Sequence, residues 1–243
     1  MTTSDDQKQR QANSFGAAAD AYERGRPPYP PEAVAWLVPD EARVVVDLGA
    51  GTGKLTRALS APGREVVGVE PSAGMRERFA RVLPGVRVLD GTGESIPLPD
   101  ASADALVYAQ AWHWVDPERA VPEAARVLRP GGRLALVWNF RDGSVPWVAE
   151  LERLLRDCAA SPTEDDQVER VGEPFGPVER REFRWSHPVA ADEVVDMIAS
   201  RSYVITLEPA ARGELLRRVR ALLDARRPTE MPYVTMCYRT RLG

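Results

Sequence analysis

Apolar runs of four to six residues alternate with stretches whose apolar positions recur every three or four residues, the pattern of βαβ units around a parallel sheet. Strands are predicted over residues 43–47, 65–70, 86–89, 104–109 and 133–139, and two more over 178–187 and 233–240. Pairs such as Leu55 with Leu59 and Phe79 with Val82 mark helices between them. Further helices are expected over 15–22, 31–37, 146–158, 191–200 and 209–226, with Pro31 suited to a first helical turn. Arg26-Pro27-Pro28-Tyr29-Pro30-Pro31 is expected to be extended, because proline removes a donor and biases the residue before it away from helix. Arg129-Pro130-Gly131-Gly132 is a turn that stops the helix carrying Ala124 and Val127, and residues 161–176 form a polar loop.

Composition narrows the picture. Apolar residues make up 44% and charged residues 28% of the 243, a globular balance. No apolar run approaches the ~18 residues of a membrane span, and the polar opening segment resembles neither a leader nor an anchor. Two cysteines, Cys158 and Cys237, cannot make a disulfide framework, and two histidines, His113 and His187, show no metal-ligand spacing. The expectation is a reduced, cytoplasmic protein with no metal. With a formal net charge of -4 and scattered arginines there is no footprint for a phosphate backbone, so nucleic acid is not an expected partner.

The most informative stretch is Val44-Val45-Val46-Asp47-Leu48-Gly49-Ala50-Gly51-Thr52-Gly53, an apolar strand that ends in an acid and runs into three spaced glycines. Such a loop lets a nucleotide-like ligand approach the backbone at the carboxyl end of the strand. A phosphate-cradling ATPase loop is excluded, because Leu48 and Leu55 stand where it needs glycine and a hydroxyl. The dinucleotide fingerprint lacks its third glycine, which is Lys54, and Asp47 would face a pyrophosphate. At ~4 Å and an effective dielectric of ~20, each such charge pair costs about 4 kcal/mol. A cationic ligand end reverses the sign. Glu70 closes the second strand, where a carboxylate can accept from both ribose hydroxyls of any nucleoside. These residues also have a plain reading as a strand-to-helix turn with a capping acid.

These residues resemble the class I S-adenosylmethionine-dependent methyltransferases, in the type 11 or ubiquinone and trans-aconitate methyltransferase-like branch. Residues 44–53 resemble the first family motif, and Val66-Val67-Gly68-Val69-Glu70-Pro71-Ser72 the second. The resemblance implies a doubly wound α/β sheet of seven strands, mostly parallel with an antiparallel last strand, and helices on both faces. It implies one domain over 1–243: a strap over 1–31, a cofactor-binding core over 32–140, and the rest of the sheet with acceptor-side helices over 141–243. Gly49, Gly51 and Gly53 would meet the methionine part of S-adenosyl-L-methionine with Asp47 in support; Glu70 would hold the ribose, with Pro71 beside it and Met75 packing near the adenine. Gly91-Thr92-Gly93-Glu94-Ser95-Ile96-Pro97-Leu98 resembles the adenine-edge segment, with Thr92 where an acid is usual and the Gly93 backbone facing the ring. Ala21-Tyr22-Glu23-Arg24-Gly25-Arg26-Pro27 resembles the strap, which puts Tyr22 and Arg26 at the cofactor carboxylate.

On the acceptor side the fourth strand runs into Ala109-Gln110-Ala111-Trp112-His113-Trp114-Val115-Asp116. One reading has Ala109 and Gln110 touching the cofactor, with Trp112, Trp114, Trp138 and Tyr203 lining a pocket. The other makes the tryptophans core residues that dock a helix. His113, with an ordinary pKa of ~6.5, suits a general base. Arg141 and Arg201, with Tyr233 and Tyr238, are suited to framing an acceptor, an anionic one included. The Asn-Pro-Pro-Tyr or Asp-Pro-Pro-Tyr signature of base and amide N-methyltransferases is absent, which favours a small-molecule acceptor. A cofactor-binding protein without catalysis and an NAD(P)-dependent oxidoreductase remain alternatives, and oligomeric state is not legible.

Overall fold

A computed structural model describes residues 27–156 and 171–243. The helix expected over 15–22, the strap residues Tyr22 and Arg26, and Cys158 lie outside the described residues. The elements, in chain order, are α1 (Pro31–Leu37), β1 (Val44–Leu48), α2 (Lys54–Leu59), β2 (Glu65–Val69), α3 (Ala73–Val82), β3 (Arg87–Leu89) and β4 (Ala103–Ala109). They continue with α4 (Pro117–Val127), β5 (Leu128–Arg141), α5 (Pro146–Arg156), β6 (Glu179–Pro188), α6 (Ala191–Ala199), α7 (Ser202–Ile205), α8 (Pro209–Arg226) and β7 (Glu230–Arg241). All seven predicted strands are present. The four-residue α7 has no apolar period to announce it, and a 3-10 turn over Trp112–Trp114 stands where no element was assigned.

The strands form one sheet in the order β3-β2-β1-β4-β5-β7-β6. β1 pairs in parallel with β2 and β4, β2 with β3, and β4 with β5, while the last strands run antiparallel. Strand order reverses between β1 and β4, and the carboxyl ends of strands at such a switch point are where open α/β sheets bind ligands.

The described residues fall into two units. The first contains 28–139, 171–183 and 235–243. Its core joins Ala33, Val34 and Leu37 of α1 and Leu55 and Leu59 of α2 to Val45, Val66, Ala105, Val107, Ala135, Val137 and Cys237 of the strands. Alternate strand residues turn to the other face, so β1 is buried along Val45 to Leu48 and reads as an unbroken apolar run up to its acid. Asp104 fastens the strand starts: its Oδ2 accepts from Arg43 N and Val44 N at 2.8 Å, and its Oδ1 from Arg129 Nη1 at the start of β5, which runs through residues 129–132 where the sequence predicts a turn.

The second unit contains 140–156 and 184–234. Val148, Leu151 and Leu155 of α5 pack with Val194, Met197 and Ile198 of α6, and with Leu215, Val219, Leu222 and Leu223 of α8. Those spacings of three and four place one apolar stripe per helix on a shared core, completed by Val204, Met231 and Tyr233.

Candidate functional site

Asp47 sits at the tip of β1, 1% exposed. Its Oδ2 accepts a 2.6 Å hydrogen bond from Thr56 Oγ1 on α2, while its Oδ1 is buried with no hydrogen-bond partner among the described residues. Burial pushes its pKa up to about 7; the Thr56 hydrogen bonds oppose the shift and the neighbouring Glu70 adds to it. The repulsion argument from sequence took a solvated, fully charged carboxylate. The structure replaces it with an acid poised between its two protonation states, whose buried orphan oxygen favours a cationic hydrogen-bond donor.

The backbone of the loop is already engaged. Gly49 N and Ala50 N donate to Val69 O at 2.9 and 3.1 Å, and Gly53 N to Ala50 O at 2.9 Å. Gly51 N donates to Glu70 Oε2 at 2.9 Å. Four N–H groups that a pyrophosphate would need are therefore spent within the chain, and phosphate binding depends on such groups. The three glycines have φ of 70°, 56° and 88°. For Gly49 and Gly53 the packing is a second reason to be glycine: an added Cβ would stand 2.6 Å from Ala111 Cβ and 2.6 Å from Leu83 Cδ1, respectively.

Glu70 directly follows β2, 7% exposed. Besides Gly51 N it receives Ser72 N at 2.8 Å on Oε1. Burial raises its pKa against the pull of those two backbone hydrogen bonds. Arg76 of α3, which sequence reasoning missed, fixes the surrounding chain: its Nη1 donates to Glu70 O and Pro71 O at 2.8 Å, and its guanidinium pairs with Asp90 beyond β3 at 3.0 and 3.1 Å. An arginine one turn into the helix after an acidic strand end was the available signal. Pro71 is exposed, and Met75 is 4% exposed on the buried side of α3.

In the adenine-edge segment, Thr92 and Ser95 exchange backbone hydrogen bonds of 3.2 and 3.3 Å, and Thr92 Oγ1 accepts from Glu94 N at 3.3 Å. Gly93 is buried, and its carbonyl accepts from Tyr108 Oη at 3.3 Å. Glu94 accepts from Asp116 N at 2.8 Å and so ties this segment to the start of α4. Arg126 and Glu123 of α4 hold the same segment: Arg126 donates to Ile96 O and Leu98 O at 3.0 Å, and Glu123 Oε1 accepts from Ile96 N at 2.7 Å.

β4 ends in Ala109, and Gln110 follows with φ of 54°, a left-handed conformation rare for a residue with a side chain. Gln110 Nε2 donates to Asn139 O at 3.0 Å, and Gln110 N to Val137 O at 2.9 Å. Asn139, a second residue missed from sequence, donates to Pro28 O at 2.9 Å and accepts from Thr235 Oγ1 at 2.6 Å. Trp112 is fully buried, edge-on to Tyr108 with ring centroids 4.9 Å apart, while His113 and Trp114 are half-buried neighbours. Trp138 is 1% exposed and edge-on to Tyr238 at 5.7 Å; its Nε1 is buried with no hydrogen-bond partner among the described residues. Tyr203, in the second unit, is half-buried on α7. No cluster of metal-ligating side chains occurs among the described residues.

A Rossmann-like sheet whose switch-point loop has spent its amides internally, backed by two buried acids, defines a class I methyltransferase with S-adenosylmethionine as cofactor. The chain belongs to the type 11 methyltransferase domain family, whose pattern residues 46–136 match. It is 50% identical over 238 residues to an uncharacterized methyltransferase of Mycobacterium tuberculosis, covering 95% of this chain and 96% of that one. Among solved structures it is similar to a protein of Anaeromyxobacter dehalogenans proposed to be a type II methyltransferase, with 26% identity and a TM-score of 0.62 over 89% of this chain and 96% of that one. The fold is also that of a Haemonchus contortus phosphoethanolamine N-methyltransferase in complex with S-adenosylhomocysteine, at 14% identity and a TM-score of 0.59 over 96% of this chain and 59% of that one.

Proposed function

We propose that this methyltransferase acts on a small-molecule acceptor in a reducing, cytoplasmic setting. The observation that carries the reading is the segment after β4: an aromatic turn, Trp112–Trp114, with Trp112 buried and Trp114 half-buried, braced by Glu94 through Asp116 N and with no lysine or arginine over residues 109–116. Cys237 is a buried thiol, in keeping with the compartment.

When bound, S-adenosylmethionine supplies an electrophilic methyl group on a positively charged sulfur. Asp47 and the glycine loop hold the methionine end, and Glu70 accepts from the ribose on lone pairs not used by Gly51 N and Ser72 N. Thr92 and Gly93 border the adenine, and Ala109 and Gln110 border the methyl-bearing side. Tyr22 and Arg26, outside the described residues, keep the role at the cofactor carboxylate that the family resemblance implies. Trp112 anchors the turn, so that His113, Trp114 and Trp138 exclude water from the acceptor and hold it for in-line attack. A hydroxyl acceptor gives its proton to a ring nitrogen of His113.

The test is a panel of small hydroxyl, amine, thiol and carboxylate acceptors, with S-adenosylhomocysteine formation as the readout. Turnover with at least one small acceptor and none with tRNA, DNA or protein substrates is expected. Turnover confined to a macromolecule overturns the reading. Cofactor binding without product from any acceptor favours a binding protein that has lost the chemistry.

A further inference from the structure

Strand β5 ends in Arg141, in the second unit. The side chain is 8% exposed, an unusual depth for a permanently charged group. Its Nε donates to Glu152 Oε1 of α5 at 2.5 Å. That pairing occupies one side of the guanidinium and leaves Nη1 buried with no hydrogen-bond partner among the described residues. Folded proteins rarely leave a buried charged donor unmet, and such a group calls for an explanation.

Its surroundings supply one. The phenols of Tyr203 and Tyr233 are its electrostatic neighbours. Tyr233 Oη donates at 3.3 Å to Met197 Sδ, a weak acceptor that a charged oxygen would outcompete. Trp185 stacks on Tyr233 with centroids 5.3 Å apart and fixes the ring. Tyr203 is half-buried and Glu152 side-chain exposure is 23%, so both neighbours of the guanidinium reach solvent.

We propose that Arg141 anchors the carboxylate of a small ligand within the second unit, with Nη1 as the charged donor and the Tyr203 and Tyr233 phenols beside it. A planar carboxylate matches the open end of the guanidinium fork while Glu152 keeps the other side in place.

The test titrates the full chain, with and without S-adenosylhomocysteine, by calorimetry with benzoate, hexanoate and succinate, against their neutral amides and inorganic phosphate. At least one carboxylate is expected to bind about tenfold or more tighter than its amide. That preference should vanish in Arg141→Met, and in Arg141→Met with Glu152→Gln, which removes both charges and guards against misfolding. Tyr233→Phe should weaken it partly, and S-adenosylhomocysteine affinity should stay within about twofold throughout. Equal binding of acids and amides, a preference that survives loss of Arg141, or phosphate binding tighter than every carboxylate overturns the proposal. Failure to bind S-adenosylhomocysteine counts against the methyl-transfer reading instead, and the titrations without it still decide Arg141.

Discussion

In the proposed site Asp47 is the residue on which cofactor recognition turns, and its burial makes that recognition depend on pH. With a pKa pushed up to about 7, the carboxyl holds its proton below that pH and loses it above. A cationic ammonium favours the ionised form, so affinity for S-adenosylhomocysteine should rise about fivefold between pH 6 and pH 7 and then level off. Calorimetry across that range checks it, and Asp47→Asn should flatten the profile. Arg76 works one layer back, through the carbonyls of Glu70 and Pro71. Arg76→Ala should weaken S-adenosylhomocysteine roughly tenfold while the far-ultraviolet spectrum stays unchanged. Asp47, Glu70 and the glycines were legible in the sequence because their chemistry is local to two strand ends. Asn139 was not: its hydrogen bond to Thr235 spans 96 residues, and no spacing rule links two polar residues that meet only when two strands pair.

At the level of elements, the alternation of strand and helix was legible throughout because both faces of β1, β2 and β4 are covered and their apolar runs are unbroken. The 3-10 turn after β4 escaped for a physical reason: its course is set by the left-handed Gln110 and by the Gly49–Ala111 contact, neither of which has a periodic signature. Helix α4 is the element that braces the adenine-edge segment. Arg126→Ala removes donors to Ile96 O and Leu98 O and should cost about 1–3 kcal/mol in urea unfolding. The first residues of β5 offer a cleaner measurement. Gly131 has φ of 74° and open space around its Cα, so Gly131→Ala should cost on the order of 1 kcal/mol through backbone strain alone.

For the whole molecule, no helix among the described residues is long and apolar enough to cross a membrane. The two units each have their own apolar core, a division that the sequence does not announce with any linker. The boundary runs within strands, and strand patterning carries no mark of which core a residue joins. A ligand that binds only the folded chain at about 100 times its dissociation constant adds ~2.7 kcal/mol of stability. S-adenosylhomocysteine should therefore raise the melting temperature by several degrees, whereas NAD(P) at equal concentration should leave it in place. The glycine loop, with its amides of Gly49, Ala50, Gly51 and Gly53 already donated, bears on kinetics as well. A binding surface whose backbone needs no rearrangement has little entropy left to lose when the nucleoside arrives. Deuterium uptake at Gly49 and Ala50 should then be slow in the free protein and change little on saturation.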